Sequence, residues 1–510
     1  MKGLPKGLGQ LKLSVRDPIK RDFPDFLLYM ASVSTATFST KEVFEKAVER
    51  KEYGEIAKVF EKIYTLAVDW GYGFANACKL VARTIDKKYF KLFLLRLSQT
   101  IGVGEPLDVF FKKEYESFMF TFGNEHGRIM ERLKNLSEAY SSILTAGSFI
   151  MVSMILSSMF FGYASPESVL FTTMFFIALS IMGINMIFYV LTPPERAVHS
   201  MKVMPRTLAF LKRSLIPLII SAMMGITILN FLVILEIIET PLNPDLFLSL
   251  TFIGGGVLLV IPGFIGKRFL NRVEKLDEQL SPFIRILGGS VSAVGTISSD
   301  AIKNILNNDF GPLTPLVHKL YSRLSLGIDS ARSWYFFRGE SGSELIRRYT
   351  EIYVEALSAG GHPEATSNMV DGVVNKLIML RKNHKQIISY LQGLLVPLNG
   401  MLVAAVALVK VLISVLSQYL GRMMKTSAFL SFMNFISPNL LQIYFLINLI
   451  IIAFGNALAL QFVSKEAEFT ILYYLGLFLL TGGLAYLLIT QLTSNFLTYF
   501  TEFGRSLPPV

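Results

Sequence analysis

Seven stretches of the chain run for about twenty residues each with almost no charge, and they leave few ways for it to fold. They lie at Ile143–Gly162, Val169–Leu191, Leu215–Ile238, Leu246–Gly266, Leu391–Leu416, Leu440–Val463 and Ile471–Thr493. In a bilayer no water is available to satisfy backbone N–H and C=O groups, so only helices and closed barrels cross it. A barrel strand alternates apolar and polar residues, whereas these runs are apolar throughout, which predicts helices. The composition agrees: 52% of the 510 residues are hydrophobic and the mean hydropathy is +0.49, high for a soluble chain.

The charges that remain are sorted by side. The connections Tyr163–Ser168 and Glu239–Asp245 carry no Lys or Arg. Residues 1–140, the loop Thr192–Ser214 and the long polar stretch 267–390 together hold 44 of the 49 basic residues. Basic segments stay in the cytoplasm, so these three are expected inside. Seven spans then leave the C-terminus outside. The stretch Ser417–Pro438, with Arg422 and Lys425, falls on the outer face, and its amphipathic character would change the count if it were re-entrant. The basic N-terminus Met1-Lys2-Gly3-Leu4-Pro5-Lys6 has no apolar run behind it, so no cleavable leader is expected and an internal span directs insertion.

The two large polar segments read as helical bundles. After a loose tail over residues 1–20, Phe23-Pro24-Asp25-Phe26 starts a helix, Ser39 and Glu42 fit a capping box, and Ile56, Val59, Phe60, Ile63, Ala67 and Trp70 are expected to form one buried apolar stripe. Helix breaks are expected at Gly71 and Gly73 and again at Gly102-Val103-Gly104. In the second segment Ser281-Pro282-Phe283 is expected to open the first helix. Ser341 to Glu344 forms a second box, Leu345, Ile346, Tyr349, Ile352, Tyr353 and Ala356 make the stripe, and Gly360-Gly361-His362-Pro363 breaks the chain. At an offset of 257 the segments match: Phe26 on Phe283, Tyr53-Gly54 on Phe310-Gly311, Lys62-Ile63-Tyr64 on Lys319-Leu320-Tyr321, and Gly104 and Pro106 on Gly361 and Pro363. Gly71 meets Gly327 with a small shift. An ordered series of this kind indicates an internal duplication.

The expected fold class is therefore all-α: a polytopic membrane protein with about seven transmembrane helices and two homologous cytosolic helical bundles. The domain order is a tail (1–20), a first bundle (21–140), four spans with the basic loop 192–214 (141–266), a second bundle (267–390) and about three further spans (391–510).

Signs of catalysis are missing. His126, His199, His318, His362 and His384 show no zinc-ligand spacing with one another or with Cys78, the single cysteine, which reads as a core residue. Asp309-Phe310-Gly311 imitates a kinase tripeptide but lacks its companion motifs and reads as a turn. Gly254-Gly255-Gly256 sits within a span, where close helix packing explains it. Glu236 and Lys410 are the ionisable residues placed in spans; one lysine without acidic partners argues against an ion path. The net charge of +11 is spread over mixed surfaces. It suits membrane lipids or an acidic partner better than nucleic acid, for which no recognition module is present.

Several motifs carry a family resemblance. Asn308-Asp309-Phe310-Gly311-Pro312-Leu313, Lys319-Leu320-Tyr321, Ile328-Asp329, Trp334, Glu340-Ser341-Gly342-Ser343-Glu344-Leu345-Ile346, Gly360-Gly361 with Pro363, and Leu380-Arg381-Lys382 resemble the archaeal platform proteins of type IV filaments, in the type II secretion F superfamily. So do Asp25-Phe26-Leu27, Glu52-Tyr53-Gly54-Glu55-Ile56, Trp70-Gly71-Tyr72-Gly73 and Pro193-Pro194-Glu195-Arg196 with His199. The archaellum platform is the branch most resembled. The resemblance implies a non-catalytic membrane scaffold without cofactor, working as a homodimer. It would couple a hexameric FlaI-like ATPase, with a FlaH-like ATP-binding scaffold, to insertion of archaellin or pilin subunits and, in an archaellum, to rotation. A platform for an adhesive type IV pilus or a secretion system is the alternative, and a membrane transporter a more distant one. Lys87, Lys88, Arg347, Arg348, Arg381, Lys382 and Lys385 are the candidate ATPase-facing residues.

Overall fold

A computed structural model describes residues 22–36, 38–161, 165–193, 196–238, 240–423 and 438–506. The expected tail at 1–20 and most of the amphipathic stretch Ser417–Pro438 lie outside the described residues. Among the described residues the regular elements are helices, sixteen of them α-helical. In chain order they are α1 (Phe23–Val33), α2 (Thr40–Glu49), α3 (Glu55–Tyr64), α4 (Phe74–Ala82), α5 (Lys88–Val103), α6 (Leu107–Phe161), α7 (Pro166–Leu191), α8 (Arg206–Ile234) and α9 (Pro244–Val294). There follow α10 (Ser299–Ile305), α11 (Thr314–Ser325), α12 (Ser330–Ser341), α13 (Glu344–Ser358), α14 (Pro363–Met423), α15 (Pro438–Ser464) and α16 (Thr470–Ser506).

Seven of these, α6, α7, α8, α9, α14, α15 and α16, are long and apolar enough to cross a membrane, and the chain is an all-α multi-pass membrane protein. It divides into two compact units. The polar unit takes the described residues up to Arg128, with His199–Met204 and Arg272–Arg381; the apolar unit takes Ile129–Val198, Pro205–Asn271 and Lys382 onward. Helices α6, α9 and α14 contribute residues to both.

Within the polar unit the duplication is visible helix by helix. At the offset of 257, α1 falls on the C-terminal part of α9, α2 on α10, α3 on α11, α4 on α12 and α5 on α13, and the starts of α6 and α14 correspond. The packing repeats as well. Phe26 meets Tyr53 edge-on at 5.4 Å, and their counterparts Phe283 and Phe310 do so at 5.5 Å. Gly54 and Gly311 share the left-handed backbone, with φ of +51° and +53°, where an L side chain would be strained. Both repeats feed one buried hydrophobic cluster. In it Phe23 is ringed edge-on by Tyr89, Phe90, Phe93 and Phe118 at 5.2–5.7 Å. Such contacts add about 0.5–1.5 kcal/mol each beyond burial.

Helix starts follow the side-chain chemistry, with two corrections. Ser39 and Glu42 form the expected capping box on α2. Ser39→Ala should therefore cost about 1 kcal/mol in denaturant unfolding of the purified protein, and an unchanged midpoint would show the box to be idle. On α13 the cap is Ser343, not Ser341: the Ile346 N–H donates to Ser343 Oγ at 3.1 Å. Ser341 closes α12 instead and donates to the Arg338 carbonyl at 2.6 Å. Ser281-Pro282-Phe283 does not open a helix either, since α9 continues through it to Val294.

The apolar unit is held by close backbone approach and by buried amides. A Cβ on Gly263 would lie 2.3 Å from the Tyr473 backbone nitrogen, and one on Gly476 2.7 Å from that of Val260. Gly256 and Gly483 make the same kind of α9–α16 approach, to Leu480 and Ile253. Gly255 instead receives Ile226 of α8. Small residues give such contacts in lipid, where apolar burial alone does not drive helices together. Tyr140 donates to Asn456 (2.9 Å), Asn456 to Asn399 (3.2 Å), and Asn399 to the Phe478 carbonyl (3.1 Å) and Thr481 (3.0 Å), a polar ladder through α6, α15, α14 and α16.

Candidate functional site

The seven basic residues singled out by pattern meet different fates. Arg347 forks onto Glu344 (2.9 and 2.7 Å) and reaches Glu351 (2.9 Å). Arg348 pairs with Asp25, which also accepts the Tyr349 hydroxyl at 2.8 Å. Arg381 holds Asp277 at 2.8 Å, and Asp277 also accepts from Ser343, the α13 cap. These three guanidiniums are thus built into the polar unit. Charge reversal at any of them would test folding before it tested docking.

The pairs of Arg348 and Arg50 join the two repeats. Asp25 of α1 is 4% exposed and faces Arg348 of α13, and Arg50, at the end of α2, meets Glu355 of α13 at 2.7 Å. Arg338 meets Glu351 within the second repeat at 2.9 Å. Burial pushes the Asp25 carboxyl above its ordinary range although Arg348 and Tyr349 pull it down. Burial, then the nearby Glu351, pushes Glu52 up as well, and Glu355 is raised mainly by burial. The seam therefore sets two partly desolvated carboxylates, Asp25 and Glu355, each against an arginine of the other repeat. Arg50 and Glu355 were not singled out by sequence, because they lie about 300 residues apart.

Lys87 and Lys88 differ from the arginines. They stand at the start of α5, Lys87 at the cap and Lys88 exposed in the first turn, with Lys91 one turn on. No acidic residue occupies that turn. A helix start favours negative charge, and each misplaced cation costs about 0.3–1 kcal/mol. Lys382 and Lys385 belong to the apolar unit and are exposed on α14. Between them His384 is buried and bonds through Nε2 to the Val463 carbonyl at 2.7 Å.

Lys410 faces the interior of the apolar unit, paired with Asp245 and 3.1 Å from the Tyr486 hydroxyl, so it has the acidic partner that the sequence did not reveal. Glu236 stands exposed just beyond the end of α8, with φ of +57°. Cys78 is buried, and burial pushes its thiol up to about 12, which suits a packing role. Among the described residues no group of three or more His, Cys, Asp or Glu is gathered as a metal would require.

Residues 26–166 match the family described as type II secretion system (T2SS), protein F. The chain is also similar to two curated proteins named flagella accessory protein J. One, from Methanocaldococcus jannaschii, is 29% identical over 395 residues, 77% of this chain and 69% of the relative. The other, from Methanococcus voltae, is 28% identical over 357 residues, 69% of this chain and 63% of the relative. About a third of each relative therefore lies outside the match. No solved structure matches.

Proposed function

We propose, from the premise that this chain is a type II secretion F superfamily platform protein of the flagella accessory protein J type, that it carries the thrust of a cytosolic hexameric ATPase into the membrane base of an archaellum. The observation that carries this reading is the similarity over 395 residues, which runs far beyond the matched F domain. The relatives' names favour an archaellum over an adhesive pilus. In this reading the chain is a scaffold, not an enzyme. Its partners are a FlaI-like ATPase, a FlaH-like ATP-binding protein, archaellin subunits, membrane lipids and a second copy of itself.

The two repeats are taken as cytosolic, with the N-terminus inside and the C-terminus outside. Support comes from the basic residues, which gather on the segments that hold those repeats and on the loop 192–214. A motor that pushes on the polar unit acts on helices α6, α9 and α14, which also supply membrane spans, so displacement has a covalent route into the bilayer. Whether the output is subunit lifting or also rotation, the same contact serves.

Lys87, Lys88, Lys382 and Lys385 are the proposed ATPase-facing residues. Arg347, Arg348 and Arg381 are given a supporting role, holding the surface in shape. The test is affinity of the FlaI-like hexamer for the full-length protein in nanodiscs. Lys87→Glu with Lys88→Glu should weaken binding about tenfold, with a shallower salt dependence, as expected for steering charges. Affinity and salt slope unchanged in this variant and in Lys382→Glu with Lys385→Glu would remove the lysines from the contact.

A further inference from the structure

The polar unit carries the same exposed apolar tip twice. In the second repeat α11 ends at Leu326-Gly327-Ile328. Gly327 takes φ of +76°, its N–H bonds the Leu324 carbonyl at 3.1 Å, and the Ile328 N–H bonds the Arg323 carbonyl at 3.0 Å. This is the glycine-terminated helix end in which the residue after the glycine ordinarily folds back onto the helix. Both apolar flanks stand open to solvent: Leu326 is 79% exposed and Ile328 39%.

In the first repeat the corresponding residues are Trp70-Gly71-Tyr72. Gly71 takes φ of +72°, and Trp70 and Tyr72 are 53% and 42% exposed; Trp70 therefore leaves the buried stripe expected of it, because the wide turn at Thr65–Asp69 breaks the helical period before it. The register explains how the tip was kept. Lys62 pairs with Lys319 at an offset of 257, but Gly71 pairs with Gly327 at 256, so the first repeat holds one extra residue between them. A single wide turn at Thr65–Asp69 absorbs it, with the Trp70 N–H reaching the Thr65 carbonyl at 3.2 Å and the Tyr72 N–H the Leu66 carbonyl at 3.2 Å. Such wide turns concentrate at functional sites. The sequences diverged from Leu-Gly-Ile to Trp-Gly-Tyr and gained a residue, yet the glycine turn and both exposed apolar flanks remain.

We infer that Trp70 and Tyr72 in one repeat and Leu326 and Ile328 in the other are paired docking knobs, which enter equivalent apolar sockets on two subunits of one homo-oligomeric cytosolic partner. A chain that presents the same knob twice fits a partner that offers the same socket twice, and identical subunits do so by construction. Aromatic and aliphatic anchors of this kind supply most of the energy at interfaces. An acid flanks each tip, Asp69 and Asp329. Acids disfavour an anionic lipid surface and suit a socket with a cation on its rim. The inference rests on the platform reading, in which that partner is the hexameric ATPase.

The experiment uses the full chain in nanodiscs, the FlaI-like ATPase as hexamer, and the same ATPase carrying substitutions that keep it monomeric. Two-point attachment multiplies affinity by about 10²–10⁴ over either contact alone. Trp70→Ser with Tyr72→Ser should therefore lower hexamer affinity at least about 10²-fold, and so should Leu326→Ser with Ile328→Ser, while all four together bring binding to background. On the monomeric ATPase either pair alone should cost no more than about twofold, since one knob remains. Because these residues are exposed, each variant should melt with the parent protein. Affinity of the fourfold variant within about twofold of the parent overturns the knobs and leaves the platform reading standing. A parent chain that binds no ATPase overturns the platform reading and the knobs with it. Loss of self-association, or of attachment to vesicles of neutral or anionic lipid, with ATPase binding intact, overturns the inference in favour of a second copy or the bilayer as occupant.

Discussion

Arg348→Ala is expected to cost about 3–5 kcal/mol, the range for leaving a buried carboxylate without its cation. Asp25 is 4% exposed, and its remaining named side-chain partner would be the Tyr349 hydroxyl. Asp25→Asn alone should cost less, because burial already favours the uncharged form. Adding Asp25→Asn to Arg348→Ala should recover most of the loss, since no buried charge is then orphaned. The effect also has a pH signature. The folded-state pKa of Asp25 is raised, so between the ordinary carboxylate range and that higher value the native state holds a proton that the unfolded state has lost. Stability from this group therefore rises as pH falls through that window. Without Arg348 the window widens upward, and the variant should regain stability on mild acidification more steeply than the parent. Denaturant melts across pH would show it; equal stability of Arg348→Ala and parent at neutral pH would mean the seam does not hold the repeats.

The second large effect is in the membrane. Gly263→Ala places a methyl group 2.3 Å from the backbone nitrogen of Tyr473 and 2.5 Å from its Cα, and a backbone cannot turn aside as a side chain can. Helices α9 and α16 must separate, which also disturbs the approaches at Gly256, Gly476 and Gly483. Forced overpacking costs about 1–3 kcal/mol and sometimes more, and this contact belongs at the upper end. Gly254→Ala is the matched control, because a Cβ there meets nothing within 4 Å. The thermal midpoint in detergent should fall clearly for Gly263→Ala and hold for Gly254→Ala; similar midpoints would contradict the close packing.

These cases also mark what could be read from the chain before its structure. Spans were legible because lipid imposes an apolar length on each helix independently of its neighbours. The duplication was legible because glycine breaks and apolar stripes stay in order, as Tyr53-Gly54 and Phe310-Gly311 do. Cap chemistry was legible at Ser39, where one candidate serine stood, and misassigned at Ser341, where two serines lie two residues apart. The arginines were a harder matter. A run such as Arg347-Arg348 looks like a free cationic face until Asp25, 323 residues earlier, is brought beside it. Partners that distant leave no local pattern, and the same holds for Lys410 with Asp245. The boundary that places Lys87 at the cap of α5 and Lys88 in its first turn was visible only in the structure.

The most direct measurement is binding of the purified FlaI-like hexamer to membrane vesicles of both orientations that contain the full-length protein. Inside-out vesicles, which present the cytosolic face, should capture the ATPase in proportion to their content of this chain, and right-side-out vesicles should not. Capture by neither orientation, or only by right-side-out vesicles, would contradict a cytosolic platform on which that motor works.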